Sequence, residues 1–255
     1  MRCFEEKMLH LSTYLIVVIL VFGTGQAIAA EIKVAVASNF ANTMKVIAQQ
    51  FEDNTGIQVL LSSGSTGKHY AQIINGAPFD AFFAADIRRP ERLEQDGYTL
   101  TASRFTYARG KLVLWSPQAG YVDPQGEVLA KGDYRHLSIA NPKLAPYGLA
   151  AREVLQKLGL WDELVGRLVR GENVGQAFQF VKSGNAEIGL VAWTQLLEAD
   201  HNVSGSYWHV PRSLYTAIDQ QAVILKDHQA VHDFVSFVRS DDGARIIREH
   251  GYETP

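Results

Sequence analysis

From residue 31 onward, short apolar runs alternate with amphipathic stretches, and few architectures accommodate that alternation. Ile32-Lys33-Val34-Ala35-Val36 reads as a strand, and Met44, Ile47, Ala48 and Phe51 then recur at helical spacing over 40–51. Thr55-Gly56 ends that helix, and 57–61 reads as the next strand. A Ser/Gly/Thr turn at 62–67 leads into a second helix ending at Gly76, ahead of a third strand at 80–84. Further strands are predicted at 111–115, 137–140, 188–192 and 221–225. Two or three helical stretches separate 137–140 from 188–192, and helices are predicted at 228–239 and 241–249. This alternation predicts an α/β fold of mainly parallel sheets with helices on both faces. In open sheets of that kind, ligands bind beyond the carboxyl ends of the strands.

The first thirty residues stand apart. Arg2 and Lys7 precede an apolar run at 15–22, followed by Gly23-Thr24-Gly25 and the small-residue stretch Ala27-Ile28-Ala29-Ala30. This order reads as a cleaved secretory signal peptide over 1–30, although Glu5 and Glu6 offset the basic start. The run is much shorter than the roughly 20 apolar residues of a spanning helix. Its removal takes away Cys3, the single cysteine, leaving no disulfide, thiolate metal site or cysteine nucleophile in the mature chain. With no Cys after the run to carry a lipid, the expected product is a periplasmic protein. The net charge of −3 offers no basic excess to hold a nucleic-acid backbone. The 255 residues suffice for two lobes, each with its own core.

Four strand-to-helix turns look alike. Ser38-Asn39 precedes the first helix and Ser65-Thr66 the second. Pro146-Tyr147-Gly148 opens a helix over 147–158, and Asn173-Val174-Gly175 opens one over 174–183. Helix N-termini present unpaired N–H groups and partial positive charge, so such turns bind anions without Lys or Arg. Each is equally readable as an ordinary N-cap, and spacing alone leaves open whether the four converge.

The residues of these turns carry a family likeness. Ala37-Ser38-Asn39-Phe40, Ser62-Ser63-Gly64-Ser65-Thr66-Gly67-Lys68 and Tyr70-Ala71-Gln72-Ile73 appear in order, followed by Asn75-Gly76-Ala77-Pro78-Phe79-Asp80 and Ala84-Ala85-Asp86. Gly110-Lys111-Leu112-Val113-Leu114-Trp115-Ser116, Asn141-Pro142-Lys143-Leu144-Ala145-Pro146-Tyr147-Gly148 and Asn173-Val174-Gly175-Gln176-Ala177 complete the series. In order and spacing over 31–255 the chain resembles the periplasmic molybdate-binding proteins of ABC importers. The resemblance implies a two-lobed periplasmic binding-protein fold of type II with the ligand cleft between lobes. Residues 31–108 plus 217–255 would form one lobe and 109–216 the other, with crossings near 111–115 and 221–225.

The resemblance also implies a ligand set. Hydroxyls of Ser38 and of the Ser65/Thr66 pair, with Thr66 favoured, would bind oxyanion oxygens, joined by backbone N–H groups of Tyr147 and Val174. Asn39 stands where a branch of the family also uses the side chain. Many members place a liganding Tyr just after the strand matching 189–191, but Ala192 and Trp193 stand there in this chain. Another branch places Tyr in the turn matching 146–148, so Tyr147 is expected to add its phenol to its N–H. No catalytic residue, cofactor or free metal cation is implied. The implied partners are molybdate or tungstate and an importer permease, with the protein acting as a monomer.

The chemistry agrees with that ligand class. Molybdate at neutral pH is a dianion with no proton to donate, so its binder needs only donors. Partly protonated phosphate gains from a carboxylate acceptor, and none of the four turns offers one, although Glu172 lies close in sequence. Sulfate or another small oxyanion makes the same demands and is the main competitor. A secreted α/β hydrolase would need a nucleophile with a placed base, and no Ser-His-Asp set is suggested by local motifs. His228 and His232 stand four apart, but Gln229 replaces the Glu of a metalloprotease helix, and the pair reads as an exposed polar face. Asp80 and Asp86 flank the third strand as caps or hinge contacts rather than acids. Tyr70, Phe79, Phe82 and Phe83 read as core.

Overall fold

The computed structural model describes residues 30–197 and 203–255; the expected signal peptide, apart from its last residue, lies outside them. β1 (Glu31–Ala37) alternates exposed and buried at its start and is buried from Val34 onward, where it enters the interior. It lies between β2 (Gln58–Gly64) and β3 (Ala81–Phe83), parallel to both. β10 (Ile218–Ile224) runs antiparallel to β3, and β4 (Phe105–Gly110) antiparallel to β10, giving the order β2-β1-β3-β10-β4.

The second sheet has the order β7-β6-β8-β5-β9. Its strands are β5 (Leu112–Ser116), β6 (Leu137–Ala140), β7 (Leu168–Gly171), β8 (Ile188–Ala192) and β9 (Ser206–His209). β6 is parallel to β7 and β8, whereas β5 runs against β8 and β9. In each sheet four strands thus point one way, and the reversed one, β10 or β5, directly follows a crossing of the chain between sheets.

Sequence periodicity misses β4, β7 and β9, and all three are edge strands. An edge strand keeps part of its surface in water, so it lacks the continuous apolar run of a central one. Arg109, Arg170 and His209 illustrate that mixed composition.

The helices are α1 (Ala41–Thr55), α2 (Thr66–Ile74), α3 (Arg88–Gln95), α4 (Val128–Lys131) and α5 (Pro146–Lys157). α6 (Trp161–Leu164), α7 (Val174–Lys182), α8 (Gln229–Arg239) and α9 (Asp241–Glu249) complete the set. α1 buries Met44, Ile47, Ala48 and Phe51 and ends at Gly56, whose φ of 74° suits glycine. Burying each large apolar side chain is worth about 1.5–3 kcal/mol, more than helix propensity contributes.

Sheet one is covered on both faces. Val34, Val36, Phe83, Phe51 and Phe234 share one cluster, while Ala35, Phe82, Ile73 and Leu93 share another. Phe82 and Phe83 are core as expected, and Tyr70 and Phe79 pack on it partly buried. Asp80 ties elements together: its carboxylate accepts the Lys33 N–H at 2.6 Å and the Lys226 ammonium at 3.0 Å.

Candidate oxyanion site

Each sheet presents two of the four turns at the carboxyl ends of its strands. β1 runs into a single 3-10 turn at Ser38–Phe40, and β2 runs into α2. β6 leads through 141–145 to α5, and β7 leads through Glu172-Asn173 to α7. The turns of one sheet meet those of the other. Gly175 N–H donates to Ser38 Oγ at 3.3 Å, and Gly67 N–H donates to the Leu144 carbonyl at 2.8 Å. The Arg89 guanidinium reaches the Lys143 carbonyl at 3.1 Å, and Lys68 pairs with Glu172 at 3.4 Å on the rim.

Convergence, which spacing left open, is therefore present in the fold. Ser38, Asn39, Thr66, Tyr147 and Val174 line one cavity together with Ala37, Gly64, Ser65, Ala85 and Asn173. Its free space is ≈ 10 Å³, on a scale where one water needs about 10–15 Å³. That leaves no room for an organic solute. No lining residue is charged. A larger cleft of ≈ 220 Å³ opens beside it, and several of the polar groups on its walls are engaged. There Asp86 holds Arg89, and Glu153 accepts the Thr216 N–H. The small cavity, where donors remain, is the candidate site.

Each of the three hydroxyls accepts one backbone N–H. Ser65 is the N-cap of α2, and its Oγ accepts the Lys68 N–H at 3.2 Å. Thr66 Oγ1 accepts the Ala85 N–H at 3.1 Å, which leaves its proton to donate. Ser38 Oγ, accepting from Gly175, and Ser65 Oγ, accepting from Lys68, are in the same position; Ser65 differs in being the cap of α2. Asn173 caps α7 by accepting the Gln176 N–H, whereas α5 starts at Pro146 with no side-chain cap. Thr66, Tyr147 and Val174 all lie in first helical turns, where N–H groups have no intrahelical acceptor. Among the described residues, no other group accepts from those three.

Two expectations need correction. The Asn39 amide is not open to a ligand: Nδ2 donates to Gln220 Oε1 at 2.8 Å and to Tyr252 Oη at 3.0 Å. Only its backbone remains for the site. The Tyr147 phenol does not reach the cavity either. Its ring is 1% exposed, and Oη lies 2.0 Å from where a side chain on Gly110 would begin, beside Gln220. Side chains of a first helical turn lean back past the helix start, and this one is drawn under the turn into the seam between the sheets. Burial pushes the Tyr147 hydroxyl well above the usual tyrosine range, so it stays neutral.

Sequence reasoning missed the groups behind the cavity. Tyr252 donates to the Asn39 carbonyl at 2.7 Å and accepts from Thr194 at 3.2 Å. Gln220 Oε1 also receives the Tyr107 hydroxyl at 3.1 Å. No local motif marks these residues, because each acts on a turn far away in sequence. His228 and His232 stay outside the site, facing Asp80 and Asp227 respectively.

With this geometry, comparison with known proteins is specific. The profile of the bacterial extracellular solute-binding protein family matches residues 32–253. A molybdate-binding protein ModA of Azotobacter vinelandii is 52% identical over 227 residues, covering 88% of this chain and 90% of that one. A molybdate-binding protein ModA of Rhodobacter capsulatus is 44% identical over 231 residues, covering 89% and 90%. The solved structure of the Azotobacter vinelandii periplasmic molybdate-binding protein superposes with a TM-score of 0.85, covering 88% of this chain and 99% of that one at 46% identity. The two-lobed type II fold expected from the sequence is thus present, and the relatives are solute-binding proteins rather than enzymes. By sequence, by fold and by the converging turns, the chain belongs to the ModA family of molybdate-binding proteins within the bacterial extracellular solute-binding proteins.

Proposed function

We propose that the protein captures molybdate, and equally tungstate, in the cavity between its sheets and hands it to the permease of an ABC importer. It acts as a periplasmic monomer after loss of residues 1–30. The observation that carries this reading is a cavity walled by hydrogen-bond donors with no carboxylate and no cation among them. A fully deprotonated tetrahedral dianion asks for nothing else. In this reading the hydroxyls of Ser38 and Thr66 donate to oxyanion oxygens, with the backbone N–H groups of Asn39, Thr66, Tyr147 and Val174. The moving bodies are residues 31–110 plus 217–255 and residues 111–216. Pairing of Arg109 and Gly110 with β10 supports drawing the first boundary before Lys111, two residues beyond the 108 expected from the sequence.

Calorimetry of ligand-stripped protein with molybdate, tungstate, sulfate and phosphate tests the proposal. Molybdate and tungstate should bind tightly, sulfate weakly because shorter bonds leave it under-contacted, and phosphate least. Equal affinities for sulfate and molybdate would replace this reading with a general sulfate-type oxyanion binder.

A further inference from the structure

Behind the cavity two buried polar atoms, Tyr147 Oη and Gln220 Nε2, lie beside each other, close enough to interact but short of good hydrogen-bond geometry with each other or with any other described group. They lie 2.0 and 2.9 Å from where a side chain on Gly110 would begin. Gly110 ends β4, directly before the chain crosses to the second sheet, and Gln220 sits in β10 beside it. Tyr147 belongs to the other sheet's turn, so the contact spans the seam. Gln220 is itself fully buried, and its Oε1 already holds Asn39 and Tyr107. Buried groups of this kind are costly when unpaired, and native folds rarely leave them so.

We propose that Gln220 and Tyr147 form a latch across the seam, with Gly110 as the side-chain-free seat that lets the phenol in. When the lobes tighten on the oxyanion, Gln220 Nε2 donates to Tyr147 Oη while Oε1 keeps the Asn39 turn in place. Both are positioning residues here: the Gln220 amide acts on the anion through Asn39, and the Tyr147 phenol acts through closure. The latch rests on the proposed oxyanion function and adds the device that couples binding to closure.

The arrangement gives an unusual sign to a pair of substitutions. Tyr147→Phe removes the latch acceptor and should speed molybdate release about threefold to tenfold. Gly110→Ala puts a methyl into the seat, and the buried ring has no space to swing aside while the lobes are shut. Affinity should then fall at least tenfold. Adding Tyr147→Phe to Gly110→Ala removes the atom the methyl meets first, so the double variant should bind more tightly than Gly110→Ala alone. The same change that weakens the wild type should therefore strengthen binding in the Gly110→Ala background.

Molybdate calorimetry and stopped-flow release, with ligand-free Tm on each variant, make the test. The latch predicts the sign reversal, with ligand-free Tm changing by no more than a few degrees. A second cycle, Tyr147→Phe with Gln220→Met, covers the case in which Gly110→Ala does not fold; the two changes should cost less together than the sum of each alone. If the wild type binds molybdate but Tyr147→Phe weakens both backgrounds alike, or the second cycle is additive, the latch is wrong and the oxyanion reading stands. If the wild type binds no oxyanion, both fall.

Discussion

In the proposed site, removing the hydroxyl of Thr66 or of Ser38 would delete a hydrogen bond to a charged ligand in a place largely shielded from water. Thr66→Ala and Ser38→Ala should each weaken molybdate binding by about 1.5–3 kcal/mol, read by calorimetry. In the proposed assignment, where Thr66 is the second-turn ligand, Ser65→Ala removes instead the helix cap that accepts the Lys68 N–H. The expected cost is about 1 kcal/mol of stability, seen as a lower ligand-free Tm, with little change in affinity. A large affinity loss in Ser65→Ala and none in Thr66→Ala would reverse the assignment of the two hydroxyls. Local sequence did not separate Ser65 from Thr66, which was favoured only through the family resemblance. Both are hydroxyls at a helix start, and the Ala85 N–H that occupies Thr66 on one side comes from beyond the next strand.

Among the elements, the start of β3 has the clearest electrostatic tie. Burial alone would raise the Asp80 carboxyl, but the Lys33 N–H and the Lys226 ammonium outweigh it and hold the group below the usual range. The unfolded chain therefore takes up this proton at higher pH than the folded one. Stability from Asp80 is complete above its unfolded value of roughly 3.9 and is lost as pH falls through the lower folded value. Asp80→Asn should cost about 1.5–3 kcal/mol at neutral pH, and the gap between variant and wild type should close below about pH 4. Denaturant melts across pH 3–7 measure this, and a gap independent of pH would show the carboxylate charge to be irrelevant. Such a tie was only partly legible: Asp80 read as a cap or contact, but its partners in β1 and after β10 depend on strand order.

For the whole molecule, closure depends on how near two backbones approach. A side chain on Gly67 would begin 2.8 Å from the Leu144 carbonyl oxygen and 3.0 Å from Arg89 Nη2, both across or on the rim of the seam. Gly67 lies in a helix, where alanine is favoured over glycine by up to about 1 kcal/mol. Gly67→Ala should thus leave ligand-free Tm equal or higher while lowering molybdate affinity at least tenfold. Small-angle scattering should show the variant failing to compact when molybdate is added. An unchanged affinity would mean the two backbones can part without loosening the site. The rim pair Lys68–Glu172 is exposed and should matter little beside this contact.

The amino-acid sequence alone determined what is local and periodic. Val34 and Val36 in a strand, Met44, Ile47 and Phe51 on one helix face, and Ser or Asn at helix starts each follow from neighbours within a few residues. So did the order of motifs, which marked the family before any coordinates. The edge strands β4, β7 and β9 escaped because water on one side removes the need for an apolar run. Tertiary structure alone decided which way the polar groups point. Tyr147 turns its phenol away from the cavity because Gly110 leaves a space and Gln220 borders it, and Asn39 spends its amide on Gln220 and Tyr252. A helix start exposes its N–H groups wherever it lies, but a side chain's direction is set by the neighbours the fold brings to it.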